Sequence, residues 1–129
     1  MHPEFWLDRW ERNQIGFHRG GFNDHLVGHW SSLHLPAMSR VLVPLCGKSN
    51  DLRWLASHHE VVGVELAPRA IEQFWQESQV VPASTDRAGF HLQKEDTLTT
   101  MCGDFFGLRQ GDVGVFQAFY DRASIIALP

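Results

Sequence analysis

Two cysteines in 129 residues, Cys46 and Cys102, are too few for a disulfide framework, and neither belongs to a Cys-x-x-Cys pair. Basic residues are scarce as well. Eleven Lys and Arg stand against 15 Asp and Glu, a formal net charge of −4 with no basic patch, which disfavours nucleic acid as a partner. No apolar run approaches the ~20 residues that cross a bilayer, and the N-terminus lacks a signal-peptide pattern. The expectation is a soluble, cytoplasmic chain with no membrane partner. Eight histidines are present but scattered. Only His58 and His59 are adjacent and no His-Glu-x-x-His helix occurs, so no metal is expected. The length suits one domain, 1–129, able to bury a core.

What the chain does have is a pattern of elements. Residues 3–18 carry Phe5, Trp6, Trp10, Ile15 and Phe17 among charges, with Pro3 placed to open a helix. Asn23 or Asp24 caps a second helix over 23–34 that buries Leu26, Trp30 and Leu33, and Pro36 ends it. Residues 40–45 form an unbroken apolar run, suited to a parallel strand buried on both faces. A helix over 50–57 and a strand over 60–66 follow. Pro68 opens a helix to about Ser78 that buries Ile71, Phe74 and Trp75. Residues 79–88 read as a polar loop, 89–102 as a ribbon ending in a strand near 99–102, 114–120 as a strand, and 123–128 as a helix start. This order is that of a nucleotide-binding α/β fold.

The segment Arg40-Val41-Leu42-Val43-Pro44-Leu45-Cys46-Gly47-Lys48-Ser49 is a strand running into a tight turn, and Glu65 closes the second strand 18 positions after Gly47. A doubly wound domain meets a nucleoside in this way, with backbone at the first turn and an acid for the ribose at the second. Gly47-Lys48-Ser49 resembles the end of a phosphate-binding loop. That loop needs a glycine where Leu42 stands, and Pro44 and Leu45 would deny it a phosphate cradle. The dinucleotide fingerprint needs three glycines, and only Gly47 is present. A ligand without phosphates suits this turn better. S-adenosylmethionine has a ribose for Glu65, and an adenine whose amine Asp104 could meet while Phe105 packs on the base. Plainer readings stand beside these: Glu65 as a strand-end acid, and Asp104-Phe105 as a turn with an apolar anchor.

Trp10, Ile15-Gly16-Phe17-His18, Val41 through Ser49, Val62-Gly63-Val64-Glu65, Ala70-Ile71-Glu72, Cys102-Gly103-Asp104-Phe105-Phe106 and Tyr120-Asp121-Arg122-Ala123 stand in that order. Together they resemble the bacterial branch of the thiopurine S-methyltransferase family, over the whole chain. The resemblance implies a class I, Rossmann-like α/β fold and S-adenosyl-L-methionine as methyl donor. It implies a cofactor site of Trp10, Leu45, Gly47, Glu65, Asp104, Phe105 and Arg122, with residues 1–36 as a helical cover. Phe17 would face the acceptor, a small aromatic or heterocyclic thiol, and selenium or tellurium compounds are further acceptors of bacterial relatives. Arg122, oriented by Asp121, would favour the acceptor's thiolate electrostatically, since a guanidinium is no base at neutral pH. Trp10 as a core anchor and Arg122 as a surface residue paired with Asp121 are the plainer alternatives. His18 is a weak further candidate.

The resemblance also implies a longer chain. A complete sheet of this class has seven strands, ordered 3-2-1-4-5-7-6, and only 3-2-1-4 is visible here. Strand 114–120 would then be an apolar edge, open to self-association in a protein otherwise expected to be monomeric. A truncated, non-catalytic fragment is the rival reading, and a generic nucleoside-binding module is a third. His58 replaces a helix-ending glycine, which predicts a left-handed histidine at a cost of about 1 kcal/mol. Gln117 and Ser124 are smaller departures that touch no cofactor contact.

Overall fold

The computed structural model describes residues 3–12, 24–44 and 46–121. Two short helices, α1 (Pro3–Glu11) and α2 (Asp24–His29), precede the sheet, and α2 continues into a 3-10 turn, Trp30–Leu33. The two apolar runs become adjacent parallel strands, β1 (Arg40–Pro44) and β2 (Glu60–Glu65), with Arg40 opposite Glu60 and Pro44 opposite Val64. Nearly all of both strands is buried, as an uninterrupted Val/Leu run requires. Helix α3 (Asp51–Ala56) joins them, and α4 (Pro68–Ser78) leads onward from β2.

Strands β3 (Ala83–Arg87) and β4 (Phe90–Glu95) form an antiparallel ribbon, which runs on into β5 (Leu98–Cys102). After α5 (Gln110–Val113) comes the two-residue β6 (Ala118–Phe119). The sheet order is β3-β4-β5-β2-β1-β6, with β5, β2, β1 and β6 mutually parallel. Those four reproduce the expected 3-2-1-4 order, and the ribbon adds two strands beyond it.

Alternation along the strands builds two core layers. Val41, Val43, Val61 and Leu98 meet Leu52, Leu55, Ile71, Phe74 and Trp75, so α3 and α4 cover one face together. Burying Ile71, Phe74 and Trp75 contributes about 1.5–3 kcal/mol each. Leu42, Val62, Val64, Phe90 and Met101 fill the other face with Leu92 beside Met101, and side chains such as Phe105 and Phe116 from the 105–116 segment pack against it. Gly63 lies where α3 crosses closest: a Cβ there would stand 2.9 Å from Leu52 Cδ2 and 3.0 Å from Cys46 Sγ.

Several expectations are corrected. The polar stretch 79–88 is not all loop, because Ala83–Arg87 pairs with β4 while leaving all five side chains exposed. A two-residue connection, Ala88-Gly89, joins the ribbon with both φ angles positive, as tight hairpin turns require. The expected strand 114–120 shrinks to Ala118–Phe119. Ahead of it Gly114 turns at φ +80, and the Arg40 guanidinium holds the carbonyls of Val113 and Val115. The second helix is shorter than expected, and Leu33 is exposed. Phe5 is also on the surface, beneath the Arg9 guanidinium, whereas Trp10 at the other end of α1 is buried, with Leu7 packed against its cluster. His58 is not left-handed. Its Nδ1 sits 2.8 Å from Ser57 Oγ and 3.1 Å from the Trp54 carbonyl, and a right-handed Ser57 closes α3 instead.

Candidate functional site

Parallel strands aim their carboxyl ends at one rim, and the chain changes direction across the sheet at β1. Strands β2 and β5 lie to one side of it and β6 to the other. Ligands of open α/β sheets bind in the crevice at such a reversal. Here the rim consists of Cys46 to Ser49 after β1, Glu65 to Ala67 at the end of β2, Cys102 to Asp104 at the end of β5, and Tyr120-Asp121 after β6.

Glu65 organises this rim. Its Oε1 accepts from the Gly47 N–H at 2.9 Å and its Oε2 from the Ala67 N–H at 2.8 Å, so one carboxylate ties the first turn to the second. The Glu65 carbonyl accepts from the Gly103 N–H at 3.0 Å, which adds the turn after β5. The side chain is 6% exposed. Burial pushes its pKa up, and the backbone N–H groups of Ala67, Gly47 and Leu66 pull it down. The two side-chain bonds use one acceptor position on each oxygen. A carboxylate has about four, which leaves capacity for a vicinal diol.

Gly47 turns at φ +57, and a Cβ there would stand 3.2 Å from Trp10 Cζ2. Trp10 is 2% exposed and packs with Ala67 and Ala70. It therefore backs both turns at once, as core anchor and as wall of the glycine bend. Lys48 points elsewhere, its Nζ 2.8 Å from Glu77 Oε2 near the end of α4. The one cation of the turn is thus engaged by a carboxylate, a poor arrangement for gripping phosphates.

Asp104 is exposed and accepts from the Phe106 N–H at 3.0 Å, capping the 3-10 turn Phe105–Gly107. Phe105 packs on the sheet face away from α3 and α4, with Val62, Val64 and Met101 as neighbouring core. Asp121 is exposed just beyond β6. Phe17, His18, Leu45, Arg122 and Ser124 lie outside the described residues, as does the expected helix 123–128.

Neither thiol is set up as a nucleophile. Burial, then the Glu65 charge, pushes the Cys46 thiol well up, and the same two causes raise Cys102. Among the described residues no group of three or more His, Cys, Asp or Glu could hold a metal, and no helix is long and apolar enough to cross a membrane. A cavity of about 580 Å³ flanks the rim between α4 and the ribbon, lined by Ile71, Trp75, His91, Gln93 and Cys102 among others.

Two features escape a reading of the sequence. One is the Ala67 N–H, which takes the second oxygen of Glu65. The other is a bond from the Tyr120 hydroxyl to Asp51 Oδ2 at 2.9 Å, across 69 positions. An acid two residues past the Gly47-Lys48-Ser49 turn was the only available signal for the second.

The model of one protein family, described as thiopurine S-methyltransferase, matches residues 1–129. Among curated relatives, the thiopurine S-methyltransferase of Pseudomonas fluorescens strain Pf0-1 is 50% identical over 130 residues, covering 100% of this chain and 60% of that protein. Those of P. fluorescens strain SBW25 and of Azotobacter vinelandii strain DJ are 52% and 47% identical with the same coverage. The chain thus spans about 60% of the length of these relatives.

Proposed function

The chain belongs to the thiopurine S-methyltransferase family, and from that premise we propose that it binds S-adenosylmethionine and serves methyl transfer to the sulfur of a small aromatic or heterocyclic thiol. The observation that carries this reading is the pair of hydrogen bonds that the Glu65 carboxylate accepts from the Gly47 and Ala67 N–H groups. It holds an acid with spare acceptor positions beside a turn open to close backbone approach. A phosphate-bearing ligand is the poorer fit, because Lys48 is paired with Glu77 and the bend has a single glycine.

When bound, S-adenosylmethionine supplies a methyl group on a sulfonium. Transfer to a thiolate is an in-line displacement in which both charges vanish, so alignment matters more than acid-base chemistry. Glu65 would fix the ribose through charge-assisted bonds, while Trp10 keeps the Gly47 bend in shape. Asp104 stands at the rim for an adenine amine. Leu45, Phe17 and Arg122 enter through the family resemblance: Leu45 on the cofactor, Phe17 on the acceptor, and Arg122 favouring the thiolate with Asp121 beside it. Selenium and tellurium acceptors follow from the resemblance alone.

Calorimetric titration with S-adenosylhomocysteine tests the reading. Saturable binding that Glu65→Ala abolishes supports it. Binding indifferent to that change, or tighter binding of ATP or NAD, refutes it.

A further inference from the structure

Asp51 is 1% exposed at the start of α3, among the most deeply buried side chains of the molecule. A carboxylate so placed is costly unless it is hydrogen-bonded, so its partners are part of why it is there. The phenol of Tyr120 donates to its Oδ2 at 2.9 Å. The Asp51 N–H donates to Ser49 Oγ at 3.2 Å, and the Ser49 N–H to the Cys46 carbonyl at 3.2 Å. Asp51 is thus fastened to the turn that contains Gly47. Tyr120 is fastened just as firmly on its own side. Its N–H donates to the Leu42 carbonyl at 2.9 Å, and its ring meets Trp30 edge-on at 6.3 Å.

The two strands that flank the crevice at the reversal, β1 and β6, pair through only two residues each. Beyond Phe119 this ladder adds one backbone bond, from the Tyr120 N–H to the Leu42 carbonyl. The Tyr120–Asp51 bond adds a constraint at the carboxyl end, where the ladder stops. Tyr120 immediately precedes Asp121 and Arg122, the residues assigned to the acceptor side.

We infer that Asp51 and Tyr120 are a positioning pair: a buried strut that sets the distance between the Gly47 turn and Asp121, and so shapes the crevice between them. The inference rests on the reading of that crevice as an S-adenosylmethionine site. Neither residue touches the cofactor in this scheme. Their effect is geometric, which a substitution that removes one hydroxyl group can isolate.

Tyr120 is the chain's only tyrosine, so a ¹³Cζ-tyrosine label gives a single resonance. Tyr120→Phe keeps the ring on Trp30 and deletes the bond. With ligand absent, it should speed amide exchange at residues 46–51 by about tenfold, and it should weaken S-adenosylhomocysteine binding by about as much. In the parent, saturating S-adenosylhomocysteine should move the tyrosine resonance, and Asp51→Asn should move it without ligand. Unchanged exchange in Tyr120→Phe overturns the strut. Faster exchange with unchanged affinity overturns its role in the site. A parent that does not bind S-adenosylhomocysteine overturns the proposed function and the role together, whereas the ligand-free exchange result stands apart from it. If Tyr120→Phe fails to fold, the parent's resonance decides: a shift on ligand binding supports the pair, and a fixed resonance overturns it.

Discussion

Replacing Glu65 by glutamine leaves the shape of the side chain and removes its charge. In the parent both oxygens accept a backbone N–H, from Gly47 and Ala67. Glutamine offers one oxygen and one NH₂ group, so one of the two N–H groups faces another donor. An unpartnered N–H costs about 1–3 kcal/mol, and the surviving bond loses its charge assistance. Against this, the substitution relieves the burial of a charge, the cause that pushes the Glu65 pKa up. The two effects oppose each other, and the net loss of stability should be about 1–2 kcal/mol. In a domain of this size that lowers the melting temperature by roughly 3–8 °C. Binding has no such compensation. Two charge-assisted bonds to a diol are worth about 3 kcal/mol together, more than a hundredfold in affinity for S-adenosylhomocysteine.

The pH dependence carries its own sign. Because the folded-state pKa of Glu65 is raised, the native chain holds this proton more tightly than the unfolded one. Its burial therefore costs stability as pH rises from the ordinary carboxylate range through the raised value. Diol binding needs the carboxylate, so affinity should fall as pH drops through that same raised value. Melting curves and calorimetry across pH 4–8, run on the parent and on Glu65→Gln, read both slopes. A glutamine variant that binds within about twofold of the parent, or shows the parent's pH slope, would refute this account.

Three other outcomes are expected. The His59 ring is buried and its Nε2 accepts the Trp30 indole N–H at 2.8 Å; desolvation, then the neighbouring His58, lowers its pKa. The stability held by the neutral ring is complete above the ordinary histidine pKa of about 6.5 and is lost as pH falls below it, so urea midpoints should drop between pH 7 and 5, and less so in His59→Gln. Arg40→Ala removes a guanidinium bonded to the Val113 and Val115 carbonyls and stacked 4.6 Å from the Phe116 ring. It should cost about 2 kcal/mol in denaturant unfolding and raise hydrogen exchange across 113–119. Phe119 is 66% exposed on β6, whose pairing among the described residues is with β1 alone. We propose that this edge supports self-association, and Phe119→Lys should reduce the dimer fraction in sedimentation velocity.

How far the sequence reveals this molecule depends on whether a signal is local. Strands β1 and β2 are legible because burial on both faces demands an unbroken apolar run, and α4 because Pro68 opens it and Ile71, Phe74 and Trp75 share one face. Strand β3 is not, since its five side chains are all exposed and its turn is Ala-Gly rather than Asn-Gly. The segment 114–120 misleads for the opposite reason. Val115, Phe116 and Phe119 look like a strand, yet Gly114 and a guanidinium 74 positions upstream turn the chain before it can pair. The acid at Glu65 and the bend at Gly47 can be paired from their spacing, because two parallel strands joined by one helix must end side by side. What holds them is less visible. The Ala67 N–H carries no side-chain signature, and the acid of Asp51 reads as an ordinary helix start until Tyr120 arrives from the end of β6, the strand beside β1. Residues that contact a ligand leave motifs, whereas those that hold the contacting residues in place answer to tertiary neighbours. The supporting frame of this crevice therefore had to be seen in three dimensions, although its first carboxylate could be named from the chain.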